Sequence, residues 1–169
     1  MTFFLDTETT GLWRGEGAEL VEVALMDETG KVWVDTLVKP EKPIPSGATA
    51  VHGITDDMVK DAPMPEAIIA SIYIITEGHT VVIYNAPFDC QWFPDLDKYA
   101  TVADAMIEYA PLYGEWDDYH QSYRWPKLTN ASERVGFRLP EGMNPHRALA
   151  DCLAARAVWN YTKNAGNPS

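Results

Sequence analysis

Five side chains carry the strongest chemical signal in this chain of 169 residues: Asp6 and Glu8 in FFLDTETTGL, Asp89 in VVIYNAPFDC, and His146 with Asp151 in HRALADC. Acids that directly follow apolar, strand-like runs are a poor use of a core-forming stretch unless something positive binds them. Hard divalent cations such as magnesium take oxygen ligands, and carboxylates from separate segments must converge to hold one. The chemistry this set suggests is phosphodiester hydrolysis at a pair of metal ions.

The spacing within each cluster has a physical reading. Side chains two apart on an extended segment point the same way, so a strand end presents Asp6 and Glu8 to one volume. D-x-E alone would be no more than an acidic turn; the other acids give it weight. Asp89 follows a buried run by about one turn and can approach the same sheet end, although alone it would be an acid stabilised at a helix N-terminus. His146 and Asp151 lie five positions apart, about 140° on a regular helix, so they do not share a face. If Asp151 points inward from the helix body, His146 must reach the site from the first turn or the loop before it. That placement suits a group that takes a proton from an attacking water, as a free imidazole with pKa ~6.5 can at neutral pH. His52, His79 and His120 lack such acidic company and are assigned no role.

The elements that must position these groups follow from periodicity and punctuation. TFFL reads as a short buried strand ending at Asp6, with a turn at Gly11. LVEVALMD and VWVDTLV, joined by a turn at Glu28-Thr29-Gly30, complete an antiparallel meander of three strands. KPEKPIPSG is a loop, since its prolines cannot join a sheet centre. ITDDMV starts a short helix with Thr55 as cap, and Pro65 opens another through about Ile75. TVVIYN is a fourth strand, apolar enough to be covered on both faces. Asn85-Ala86-Pro87 then turns the chain into a helix carrying Asp89, YATV offers a fifth strand, and a helix follows near Asp104–Tyr109. YGEWDDYHQSYRWP reads as an irregular surface excursion, KLTNASERV as a helix stopped by Gly136, and Asn144-Pro145 as the start of a last helix to about Lys163. Three antiparallel strands followed by alternating strands and helices make an α/β mixed sheet in a single domain over residues 1–169.

Composition narrows the function classes. Hydrophobic residues at 46% and charged ones at 22% are ordinary for a globular chain. AIIASIYII is too short to span a bilayer, the N-terminus lacks the basic region of a secretory signal, and two cysteines make no disulfide framework. A cytoplasmic enzyme without a membrane partner is therefore expected, with Cys90 and Cys152 as small buried apolar residues beside the site. A net charge of −12 argues against gripping a long duplex by its backbone, which needs many Lys and Arg contacts. Two divalent ions would offset the four site carboxylates locally, so a small footprint on the last few nucleotides is favoured.

With these residues in view, the chain resembles the DEDDh (DnaQ-like) exonuclease family, closest to its exonuclease X branch and also similar to the polymerase III epsilon and ribonuclease T branches. FLDTETTGL matches the first family motif, YNAPFD the second and HRALAD the third, and VHGIT at Val51–Thr55 matches an intervening segment. The resemblance covers nearly the whole chain. It implies a ribonuclease-H-like fold, a five-stranded mixed sheet with its first three strands antiparallel, flanked by helices. It implies Asp6, Glu8, Asp89 and Asp151 as ligands of two Mg²⁺ or Mn²⁺ ions, and His146 as general base. It also implies substrate contacts at Thr7, Thr9, Thr10, Gly11 and Asn85, with Leu12 as an apolar wedge between the last bases. The activity implied is hydrolysis from 3′ ends of single-stranded or duplex DNA to nucleoside 5′-monophosphates. An exoribonuclease using the same site, or a non-catalytic module of the same fold, stand as alternatives. A polymerase, a helicase or a second copy of the chain are the partners it allows, although little chain follows the last helix for docking to a polymerase. Two features depart from the family pattern: Tyr84, where many members carry histidine, and the aromatic excursion from Tyr113 to Trp125. Trp13 and Trp92 are able to stack on bases, and Arg124, Lys127, Arg134, Arg138 and Arg147 are candidates to line the strand's approach to the site.

Overall fold

A computed structural model describes residues 1–165; the last four residues of the domain expected over 1–169 lie outside them. Strand β1 (Thr2–Thr9) continues through both acids instead of ending at Asp6. Its pairing with β2 (Leu20–Asp27) runs through Asp6 opposite Ala24 and Glu8 opposite Glu22, and the register breaks only between Glu8 and Thr9. The two carboxylates are thus held on the strand itself, at its last regular rungs.

Strand β3 (Val32–Leu37) pairs antiparallel with β2, while β4 (Thr80–Ile83) lies parallel to β1 and β5 (Thr101–Asp104) parallel to β4. The order β3-β2-β1-β4-β5 is the mixed five-stranded sheet expected, with its antiparallel half first in the chain. The fifth strand starts at Thr101, two residues past the start of YATV. Around the sheet lie α1 (Ser46–His52), α2 (Asp56–Val59), α3 (Pro65–Thr76), α4 (Ala86–Asp89), α5 (Leu96–Tyr99), α6 (Ala105–Tyr113), α7 (Leu128–Arg134) and α8 (Ala148–Ala165). Among the described residues no helix is long and apolar enough to cross a membrane.

Four local expectations are corrected. Helices α1 and α5 go beyond what periodicity announces, because one or two turns leave little of it to read. Thr55 precedes α2 without capping it; the neighbouring Asp56 carboxylate instead accepts from the Ile44 N–H at 2.8 Å. The excursion after α6 carries a hairpin, β6 (Trp116–Asp117) paired with β7 (Ser122–Tyr123). Finally, α8 begins at Ala148 and not at Pro145, because His146 has a left-handed φ of 57° that no helix accommodates.

Alternation along β1 divides the interior. Phe3 and Leu5 enter a core with Ile72 of α3, Phe93 and Leu96, whereas Phe4 enters a second core with Tyr109 of α6 and Cys152, Ala155 and Val158 of α8. By the same alternation Asp6 and Glu8 fall on the α8 face. In its first two turns α8 packs small residues into the core it shares with Phe4 (Ala148, Cys152 and Ala155), so its backbone lies close there, and the Cys152 thiol approaches the Phe4 carbonyl at 3.4 Å. That closeness lets a side chain as short as aspartate reach across from α8 to β1.

Candidate active site

The first two acids come from β1 and the third from α8. One carboxylate oxygen from each of Asp6, Glu8 and Asp151 can be chosen so that all three lie within 4.8 Å of one another. Asp89 reaches the same volume from the opposite side of β1, where its carboxylate accepts from the Thr7 hydroxyl at 2.6 Å. Asp6, Glu8, Asp89, His146 and Asp151 all line one cavity of about 1090 Å³. Every residue assigned a metal or proton-transfer role from the sequence therefore lines one pocket.

The acids of the pocket are held away from their ordinary titration range. Burial, then the charges of Asp89, Asp151 and Glu8, push the Asp6 carboxyl well above its ordinary range. Burial followed by Asp151, Glu22 and Asp89 drives Glu8 up to about 9, against the pull of Arg147. Asp89 is also raised by burial, with the Thr7 hydrogen bond opposing, and Asp151 by burial, with His146 opposing. Four carboxylates whose ionisation burial opposes, and neighbouring acids oppose further at Asp6, Glu8 and Asp89, are an all-oxygen donor set that fits hard divalent ions. With ions bound, Asp6, Glu8, Asp89 and Asp151 would be the ligands.

His146 lies in the loop just before α8, exposed at the cavity wall, as the angular argument requires. Its left-handed backbone is held in place by the next residue. Arg147 makes a bidentate pair with Glu22 of β2, its Nε donating at 2.9 and 3.0 Å and its Nη2 also donating to Glu22 Oε1. The Ala148 N–H donates to the same carboxylate at 2.9 Å, so Glu22 serves as the N-terminal anchor of α8. Glu22 escapes a reading of the sequence because an acid within β-rich LVEVALMD looks like an outward-facing strand residue; it is in fact buried. Arg147 is accordingly not part of the strand's approach.

A second such residue is Asp104. It caps α6 by accepting from the Met106 and Ile107 N–H groups, and it accepts from Ala86 N–H at 2.8 Å and Asn85 N–H at 3.3 Å. One carboxylate at the end of β5 thereby fixes the turn that delivers Asp89, in which Asn85 has a left-handed φ of 66°. Gln91 is a third: its side chain donates to the Leu12 carbonyl at 3.3 Å and accepts from the Arg14 N–H, tying the loop after β1 to the end of α4.

Of the expected substrate residues Thr7, Leu12 and Asn85 line the cavity, whereas Thr9, Thr10 and Gly11 lie outside its lining, at the end of β1 and in the turn that follows. Thr9 donates to the Gly11 carbonyl at 2.7 Å and Thr10 accepts from the Glu19 N–H at 2.8 Å, so both hydroxyls shape the turn that projects Leu12, which is 69% exposed. Thr7 is buried against Asp89, while Asn85 is exposed on the cavity wall. Of the two tryptophans able to stack on bases, Trp13 is exposed beside Leu12 and Trp92 is buried in the core under α4. Lys127 and Arg138 line the cavity, Arg134 lies over the Tyr113 ring, and Arg124 faces Asp117 at 3.4 Å. His52 is a core histidine whose Nδ1 accepts from the Ile54 N–H. Cys152 is buried as expected and Cys90 only partly so.

The exonuclease family model for RNase T matches residues 3–159. A protein of Escherichia phage 186 named uncharacterized exonuclease CP81 is 42% identical over 96% of this chain and 88% of its own. Exodeoxyribonuclease 10 of Escherichia coli K12 is 32% identical over 94% of this chain, which spans 66% of that protein's length. Among solved structures, exonuclease X in complex with 5′ overhanging duplex DNA superposes with a TM-score of 0.74 at 26% identity, covering 100% of this chain and 95% of that one.

Two outcomes are expected from this geometry. Without metal, folded Glu8 keeps its proton up to about pH 9 whereas the unfolded chain releases it near 4.5, so stability falls as pH rises across that window. Thermal unfolding at pH 5 to 9 will show the metal-free midpoint dropping by roughly 5 °C or more. Mg²⁺ or Mn²⁺ will restore it by an amount that grows with pH, since binding requires the ionised ligands. A metal effect independent of pH would contradict the site. Second, Arg147→Ala will cost about 3–5 kcal/mol in chemical denaturation, because it strands the buried Glu22 charge. Glu22→Gln will cost less, roughly 1.5–3 kcal/mol, since Arg147 is 32% exposed and can turn to water.

Proposed function

The chain belongs to the RNase T exonuclease family, and from that premise we propose that it removes nucleotides from the 3′ ends of single-stranded or duplex DNA, releasing nucleoside 5′-monophosphates. The observation that carries the reading is the convergence of Asp6, Glu8 and Asp151 within 4.8 Å in a cavity that His146 and Asp89 also line. The duplex DNA held by exonuclease X and the name of the Escherichia coli relative support DNA over RNA as substrate.

In this reading Asp6, Glu8, Asp89 and Asp151 hold two Mg²⁺ or Mn²⁺ ions. When bound, such ions lower the pKa of a coordinated water and neutralise charge developing on the departing 3′ oxygen. His146, exposed at the cavity wall and outside the helix that carries Asp151, takes the proton of the attacking water. The backbone of Thr9, Thr10 and Gly11 meets the terminal nucleotide, with Asn85 across the cavity. Leu12 inserts beside the last base, and Thr7 acts by orienting Asp89. The cavity's mixed lining, acidic at its floor with Lys127 and Arg138 at its wall, suits a few terminal nucleotides and not a long duplex.

End-labelled DNA and RNA, single- and double-stranded, provide the test. A 5′-labelled strand should shorten stepwise in Mg²⁺ or Mn²⁺ and stay intact in chelator, while a 3′ label appears at once as mononucleotide. Shortening from the 5′ end, or activity that survives chelation, would sink the proposal, and faster loss of RNA would reassign the substrate. His146→Ala should lower kcat by about 10²–10⁴ with KM little changed and the metal-induced rise in unfolding midpoint retained. Near-normal turnover in that variant removes the histidine from proton transfer.

A further inference from the structure

The two departures from the family pattern are joined by one hydrogen bond. Tyr84, at the end of β4, donates its buried hydroxyl to the Pro126 carbonyl at 2.7 Å, and Pro126 is where the aromatic hairpin returns to the body of the protein. Both residues line the active-site cavity, as does Trp125 next to them. The hairpin is therefore fastened to the wall of the site.

What the hairpin presents is unusual for a surface of this protein. Four tryptophan and tyrosine rings lie within residues 116–125: Tyr119 is 89% exposed, Trp125 65%, and Trp116 and Tyr123 are also exposed. Trp116 and Tyr123 meet edge to face at 5.1 Å across the two strands, which holds both rings in place. Between Gly114 and Pro126 there is no Leu, Ile, Val or Met, so the surface is flat rings and polar groups, without the aliphatic filling of a greasy docking patch. Asp117 is engaged internally, accepting from the Tyr119 and His120 N–H groups and facing Arg124. Aromatic faces stack on any base and hold single strands without reading sequence. We propose that this hairpin is a stacking platform for the unpaired nucleotides upstream of the 3′ end, anchored to the active site through Tyr84 and Pro126. The occupant is single-stranded nucleic acid, because Trp125, at the end of the same segment, lines the cavity that holds the acids.

The inference rests on the exonuclease reading, and its test separates the two. Two substrates are compared in Mg²⁺: a single-stranded oligonucleotide of roughly 12 residues, and the p-nitrophenyl ester of a nucleoside 5′-monophosphate, which has no upstream strand. Wild-type protein inactive on both overturns the exonuclease reading, and the platform with it, before any substitution is made. With active wild type, Trp116→Ala combined with Tyr119→Ala should lower the ratio of kcat/KM on the strand to that on the ester by about ten-fold, the loss of one base–aromatic stack. The change should appear in KM. Trp116→Phe with Tyr119→Phe should keep the ratio, and Tyr84→Phe should lower it. A ratio unmoved by the alanine pair, or equal losses on both substrates, overturns the platform while leaving the exonuclease reading intact.

Discussion

Burial of four carboxylates around one pocket is the constraint around which this molecule is organised. Asp6, Glu8, Asp89 and Asp151 line one pocket where burial opposes ionisation of each, and neighbouring acids oppose it further at Asp6, Glu8 and Asp89. Left to itself such a cluster would spread or protonate. It persists in binding-ready form because each acid is mounted on something that cannot easily move: two on the regular rungs of β1, one on a helix packed close to the sheet, one on a turn stitched to β5.

The mounts are themselves polar, and each is satisfied. Glu22 ties β2 to the start of α8 through Arg147 and the Ala148 N–H, holding the strained residue at 146 between that anchor and the loop before it. Asp104 ties β5 to the turn bearing Asp89, and Thr7 fixes the Asp89 carboxylate from β1. Left-handed backbone at Asn85 and His146 costs about 1–2 kcal/mol at each position, and both strained residues sit beside one of these anchors. Strain and its restraint thus coincide at the two loops that deliver chemistry. The net charge of −12 would be offset locally by divalent ions held among the four carboxylates, and Lys127 and Arg138 line the wall around them.

Tyr84 and the aromatic hairpin, which look like unrelated departures in the sequence, are one structural unit. A histidine at position 84 could not place a phenolic hydroxyl against Pro126, and a chain without the hairpin would offer that hydroxyl no partner. Their joint presence puts the rings of Tyr84 and Trp125 in the lining of the cavity that Leu12 also lines.

The chemistry of the site is legible in the chain because it is local: two acids at strand spacing, an acid after a buried run, and a histidine and acid whose spacing forbids a shared helix face. The sheet is legible for the same reason, since long apolar runs broken by Gly and Pro carry their own periodicity. Short elements such as α1, α5 and the β6–β7 hairpin are not, because one or two helical turns, or strands of two residues, set no period. Nor are Glu22, Asp104 and Gln91, whose roles depend on partners between 18 and 126 positions away. In isolation an acid within a strand or at a helix start is indistinguishable from a solvated one. Which groups meet in the candidate site is thus written in the order of residues. How those groups are held is not, because the restraints are hydrogen bonds between segments that meet nowhere but in the folded chain.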